Sequence, residues 1–334
     1  MNGNLDIFLI TYNRCNYLEN TLNKIFSNES PLKDYTIIIL DNNSNDRTEI
    51  LCKNFATKYQ NLKYIKNKKN IGLAGNICKA MMLAEKKYFW ILCDNDDLDF
   101  SAWNEVEEAM TNNKDLILVC RDYYKINKDK LFEAFVLNQI TFLPAGIYKT
   151  EYLTDNVMSY AVADTYTILP HVPLGCAILN NAGSIYLVSK SIVSLTENIK
   201  ITNGKTYDFD RLDYSSMIDK NERIKAINFY TGIISSFDSC KNKKIREIAI
   251  KNFFKIRYFS SFIMSKTPSY IKYEFFAKLP FDLKLIYFLL TLLQPLMYII
   301  YFYYSGNGLG VCLFNKLKIR LFSPKWFNRQ EKCA

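Results

Sequence analysis

Three carboxylates fall within four positions at Asp94-Asn95-Asp96-Asp97, directly after the apolar run that ends Ile91-Leu92-Cys93. Carboxylates this close repel one another unless a cation lies among them. Hard divalent ions such as Mg²⁺ and Mn²⁺ prefer oxygen ligands and bridge one or two carboxylates to substrate phosphates. An Asp-x-Asp at the end of a strand therefore reads as a diphosphate site built through a metal. Taken alone, the same tetrapeptide also fits a solvated acidic turn that caps the next helix. Three further polar clusters accompany it: Thr11-Tyr12-Asn13-Arg14, Asp41-Asn42-Asn43-Ser44-Asn45-Asp46, and Asn70-Ile71-Gly72-Leu73-Ala74-Gly75-Asn76.

Each cluster adjoins an element that must position it. Apolar runs at Leu5 to Ile10, Ile37 to Leu40, Leu62 to Ile65, Tyr88 to Leu92 and Leu116 to Cys120 predict strands. Between them, Tyr17 to Phe26, Asp46 to Tyr59, Leu73 to Glu85 and Ser101 to Asn112 repeat apolar residues at helical spacing, with Ser44, Asp46 and Ser101 as caps. Strands alternating with helices predict an α/β fold with a mostly parallel sheet, and such sheets gather ligands at the carboxyl ends of their strands. Beyond residue 125 the pattern weakens, with strands expected at Phe142 to Tyr148 and Ile185 to Val188 and a mixed loop and helix at Thr165 to Leu179.

The four clusters, in this order and at these strand ends, resemble the inverting glycosyltransferases of family 2, whose nucleotide-binding half runs strand-TYNR, strand-DDGSxD, N-x-G-x-x-x-A/G-x-N, strand-DxDD. The resemblance covers residues 5 to about 110 closely and implies a GT-A fold, with residues 1–120 as the nucleotide-sugar half and 121–240 as the acceptor half. It also implies a nucleotide diphosphate sugar donor, with uridine as the base, and transfer of a hexose or N-acetylhexosamine to a surface or lipid-linked glycan. On that basis Asp41 accepts from the imide of the base, Thr11 and Tyr12 border it, Asp94 reaches the ribose, and Asn43 and Asn95 also belong to the nucleotide-sugar site. Asp96 holds the metal, Mn²⁺ or Mg²⁺. Gly72 and Asn76 lie on the turn where backbone and helix start approach the phosphates, and Arg14 adds positive charge, or stands as a solvated loop arginine.

The second half departs from the family pattern, because the usual Glu-Asp pair, whose aspartate deprotonates the acceptor, is missing. Aligning Phe142-Leu143-Pro144-Ala145-Gly146-Ile147-Tyr148 with the strand before the acceptor segment brings His171 to the aspartate position. An ordinary imidazole titrates near ~6.5 and could serve as base at neutral pH, or it could simply satisfy a buried hydrogen bond between two prolines. Asp164 is the second choice of base, and the group Asp208, Asp210 and Asp213 the third.

The chain has 334 residues and a net charge of +10, yet residues 241–334 carry 17 Lys and Arg against 4 Asp and Glu. The rest of the chain is therefore slightly acidic. A basic block first suggests nucleic acid. Here the cations are interleaved with apolar and aromatic stretches, which fits an anionic membrane surface and no nucleic acid. A basic amphipathic helix is expected from Ile245 to Ile263, followed by the twenty uncharged residues Leu285 to Tyr304. That run could span a bilayer, insert shallowly with a kink at Pro295, or pack internally. Nine scattered cysteines and one histidine argue against a disulfide framework or a zinc site, and residues 1–10, without a basic start before an apolar stretch, are expected to open on a strand and not on a signal peptide. The expected location is the cytoplasmic face of a bacterial inner membrane, peripheral or monotopic. Two alternatives stay open: a metal-dependent nucleotidyltransferase, which lacks its usual Gly-rich, Lys-containing loop here, and a catalytically silent membrane scaffold.

Overall fold

The computed structural model describes residues 3–121, 131–163, 165, 169–194, 234–253, 276–289 and 291–292. Asp164, the Asp208, Asp210 and Asp213 group, and most of the Leu285 to Tyr304 run lie outside them. Contacts between residues divide the chain into Met1–Phe209 with Ser235–Arg246, and Asp210–Ile234 with Glu247–Ala334.

In the first unit β1 (Leu5–Thr11), β2 (Thr36–Asp41), β3 (Leu62–Lys66) and β4 (Tyr88–Cys93) alternate with α1 (Cys15–Ile25), α2 (Thr48–Lys58) and α3 (Gly72–Leu83). A short β5 (Asp97–Leu98), α4 (Trp103–Thr111), β6 (Leu116–Leu118), α5 (Phe132–Gln139), β7 (Gly146–Lys149), α6 (Asp155–Ala163), α7 (Val172–Asn180), β8 (Ile185–Leu187) and β9 (Val193–Ser194) follow. The main sheet has the order β3-β2-β1-β4-β7-β6-β8, and β5 pairs with β9 in a separate two-stranded ribbon. Strands β1 to β4 are parallel, and β7 runs antiparallel between β4 and β6.

All seven residues of β1 are buried, as expected of a parallel strand covered on both faces. The core around it includes Trp90, Tyr88, Tyr35 and Trp103, each large apolar side chain contributing on the order of 2–3 kcal/mol when fully buried. Trp90 also gives its indole N–H to the Pro144 carbonyl at 2.8 Å, tying β4 to the segment before β7.

Several element boundaries differ from expectation for local reasons. The first half of the Phe142 to Tyr148 run is a 3-10 turn, Leu143–Ala145, because Pro144 has no N–H to give to a ladder; the strand starts at Gly146. Asp99, not Ser101, caps the turn that leads into α4, accepting from Ser101 N at 2.9 Å. Asp46 does act at the start of α2, its Oδ1 accepting both the Thr48 N–H and the Thr48 hydroxyl. The basic helix α8 (Lys243–Phe253) is present where one was expected, and residues beyond 253 in that expected helix lie outside the description.

Candidate active site

The parallel order places the carboxyl ends of β2, β1 and β4 side by side, with Thr11 beside Asp41 and Ile10 beside Cys93. The polar clusters that follow these strands therefore meet at one edge of the sheet. Thr11 donates its hydroxyl to Asp94 Oδ2 at 2.7 Å, and Arg14 reaches Asp94 Oδ1 at 3.1 Å and Asn95 Oδ1 at 3.2 Å. Thr21 on α1 donates to the Asp94 carbonyl at 2.9 Å, so both chain and side chain of Asp94 are fixed. Burial pushes the Asp94 carboxyl upward from its ordinary value, against the pull of Arg14 and the Thr11 hydroxyl.

Asp96, two residues on, is buried as well, and its Oδ2 accepts the Cys93 N–H at 2.8 Å. Burial pushes its carboxyl up to about 8, with the neighbouring Asp94 charge adding to the rise and the Cys93 N–H opposing it. Arg14, bonded to Asp94, also acts against the rise, and a buried carboxylate held at a strand end offers the oxygen ligand that a hard cation prefers. Among the described residues no group of three or more His, Cys, Asp or Glu could hold a metal unaided. A cation at Asp96 would thus share its coordination with water and the donor's phosphates, as Mg²⁺ commonly does. Asp97 turns away into β5 and pairs with Lys24 at 2.9 Å.

The loops above the strand ends are locked together. Asn13 takes a left-handed φ of 53°, accepts the Asn45 N–H at 2.8 Å and gives its own N–H to Ser44 Oγ at 2.8 Å. Asn43 is left-handed too, and it is exposed with Tyr12 on the rim of the site. Gly72 has φ +77° at the start of α3, a conformation that costs other residues roughly 1–2 kcal/mol.

Two of the residues expected at the donor are also engaged within the fold. Asp41 is 0% exposed, and its oxygens accept the Ser44 N–H at 2.8 Å and the Tyr64 hydroxyl at 2.6 Å, so it anchors the loop as Asp94 anchors Thr11 and Arg14. Asn76 is buried in an amide network, accepting from Asn67 at 3.1 Å and donating to the Leu40 carbonyl at 3.0 Å. The centre of that network is Asn42, which the motif contains but to which sequence reasoning gave no role. It accepts from Asn67 and from Ile71 N, and donates to Asn70 Oδ1 and the Gly72 carbonyl, fixing the Asn70 to Gly72 turn. Tyr64, on the third strand, was likewise unmarked by any motif. Tyr64→Phe should lower stability by about 1–3 kcal/mol by taking a bond from a buried carboxylate. Thermal melting checks this, and an unchanged midpoint would show that the bond contributes nothing.

His171 lies just before α7 and is 1% exposed. Its Nε2 bonds the Ile140 carbonyl at 2.8 Å, which requires the proton on that nitrogen, and Nδ1 is buried with no hydrogen-bond partner among the described residues. Burial lowers its pKa to about 4, with the Ile140 bond opposing. An imidazole titrating near neutrality is therefore not what the fold provides.

Residues 6–160 match the model of glycosyl transferase family 2. An uncharacterized glycosyltransferase of Methanocaldococcus jannaschii is 26% identical over 208 residues, 61% of this chain and 62% of that protein. Abequosyltransferase of Salmonella typhimurium is 32% identical over 112 residues, 33% of this chain and 34% of its own. The chain thus spans less than two thirds of either relative. Among solved structures, a mannosyltransferase from Pyrobaculum calidifontis in complex with GDP-Man and Mn²⁺ is similar at a TM-score of 0.49 and 13% identity, over 76% of this chain and 71% of that one. The sheet is mostly parallel and lies between helices, an α/β fold, and residues 6–160 of it are the part similar to glycosyl transferase family 2.

Proposed function

We propose, for a chain similar to glycosyl transferase family 2 over residues 6–160, that the protein moves a sugar from a nucleoside diphosphate donor to a hydroxyl of a surface or lipid-linked glycan, inverting the anomeric carbon. The observation that carries this reading is the pair Asp94 and Asp96 on one turn, beside Thr11 and Arg14, at the carboxyl ends of adjacent parallel strands. In this reading Asp94, oriented by Thr11 and Arg14, accepts from the ribose hydroxyls, with Asn95 next to it in the chain. Tyr12 and Asn43, exposed on the rim, border the base, and uridine is the first base to test. Gly72 lets the turn before α3 approach the diphosphate. The Ile71 and Gly72 N–H groups are already held by Asn42 and Asn70, so the turn is preformed rather than gathered by the ligand.

Asp96 is the residue that would hold Mn²⁺ or Mg²⁺, and such an ion, when bound, supplies charge stabilisation for the departing diphosphate. On the acceptor side a base must take the proton of the attacking hydroxyl. We assign it to Asp164, which follows α6 in the chain, because both ring nitrogens of His171 are buried and its basicity is low. The acceptor is a hexose- or N-acetylhexosamine-accepting glycan at the cytoplasmic face of a bacterial inner membrane.

The test is release of nucleoside diphosphate from a panel of nucleotide sugars, with and without Mn²⁺. Release from one donor class, rising with the ion and requiring an acceptor glycan, is expected. Binding of donors without release under any condition would favour a silent scaffold, and release of pyrophosphate would favour nucleotidyl transfer.

A further inference from the structure

Residues 281–289 are helical, and so are 291 and 292. At the helical turn of about 100° per residue, Phe281, Leu285, Phe288, Leu289 and Leu292 fall on one face spanning roughly a quarter to a third of the circumference. All five are at least half exposed, from 50% at Leu289 to 84% at Phe281. Leu283 and Tyr287, on the opposite side, are buried. The helix is therefore apolar on both sides and covered on only one, whereas a surface helix ordinarily turns a polar face outward. Five large, half-exposed side chains in one row make a contiguous apolar patch of the kind that marks an interaction surface, unlike apolar residues scattered singly.

The margins of the stripe carry positive charge. Lys284 flanks it and Lys278 precedes it, while the single acid on the other margin, Asp282, is neutralised by Lys251 at 2.9 Å. We propose that this stripe is the face by which the protein docks on an anionic lipid bilayer, lying in the plane of the interface with its five apolar side chains inserted. Charge selects this occupant over a second copy of the chain. Residues 241–334 carry 13 more basic than acidic residues, so self-association would press two strongly positive segments together, whereas anionic lipid attracts them. The inference does not rest on the catalytic reading, and its test needs no substrate.

The full-length protein and the double variant Phe288→Ser, Leu292→Ser are sedimented with vesicles of phosphatidylcholine alone or mixed with phosphatidylglycerol. Wild type should pellet with the anionic vesicles, less so as salt rises, and the double variant should need at least about tenfold more lipid for half-binding. As a check independent of the variant's folding, Leu289→Trp should show a blue-shifted indole emission on adding anionic vesicles and quenching by brominated lipid. Equal sedimentation of wild type and double variant, no sedimentation of wild type, or an added indole indifferent to lipid would each overturn the proposal. A wild-type dimer that the double variant converts to monomer, without lipid binding, would assign the stripe to a second copy instead.

Discussion

Asp96→Asn should reduce turnover by about a thousandfold, corresponding to roughly 4 kcal/mol, while leaving the protein folded. The carboxylate is buried at the end of β4, and the bond from Cys93 N holds it there with or without charge, so the amide keeps the geometry and loses only the anion. Stability should move the other way. With a folded pKa of about 8, well above the 3.8 of an unperturbed aspartate, the folded state of the wild type binds the proton more tightly than the unfolded state. Its contribution is complete below the unfolded pKa and is lost as pH rises toward 8. Asp96→Asn abolishes this loss, so the variant should melt above the wild type at pH 8, and the gap should close near pH 4. Mn²⁺ should raise the wild-type midpoint at pH 8 and leave the variant's unchanged. Near-normal turnover in the variant, or a Mn²⁺ shift that it retains, would remove Asp96 from the metal site.

Asp164→Asn should lower kcat by roughly 10²–10⁴, the usual contribution of a general base, with donor affinity nearly unchanged. His171→Gln should instead act on the fold. With the imidazole's pKa depressed to about 4 from 6.5, the wild type is destabilised as pH falls from the unfolded value through the folded one, by up to about 3 kcal/mol for a shift of that size. The variant should lose that acid sensitivity and keep most of its turnover at neutral pH. Pre-steady-state rates and acid melts on the two variants separate the roles. If His171→Gln abolishes turnover and Asp164→Asn does not, the unpartnered Nδ1 is the base despite its burial, and the assignment reverses.

The strand-end clusters and their order were legible because parallel strands announce themselves as continuous apolar runs, and whatever follows each run must emerge at the same edge of the sheet. From this the four nucleotide-side motifs, the Asp94 and Asp96 pair and the α/β architecture could be read directly. Local chemistry also set the ends of elements, as with Pro144 before β7. The antiparallel insertion of β7 between β4 and β6 was not legible, since its short run of four residues carries no signal of direction.

Whether a given side chain meets a ligand or is consumed by the fold was decided only in three dimensions. Asp41 and Asn76 looked like donor contacts, and His171 like a base, from residue type and place in a motif. Their partners within the fold are Tyr64 and Asn67 for the first two and the Ile140 carbonyl for the third, each on a different segment of chain. In the same way the uncharged run from Leu285 was legible as apolar, but only the packing of Leu283 and Tyr287 showed which side of the helix at 281–289 remains open. The sequence by itself determined which groups could carry chemistry and which strand end presents them, because both follow from local periodicity. Tertiary structure decided which partners each of those groups meets, because hydrogen-bond partners and burial are supplied by residues distant in the chain.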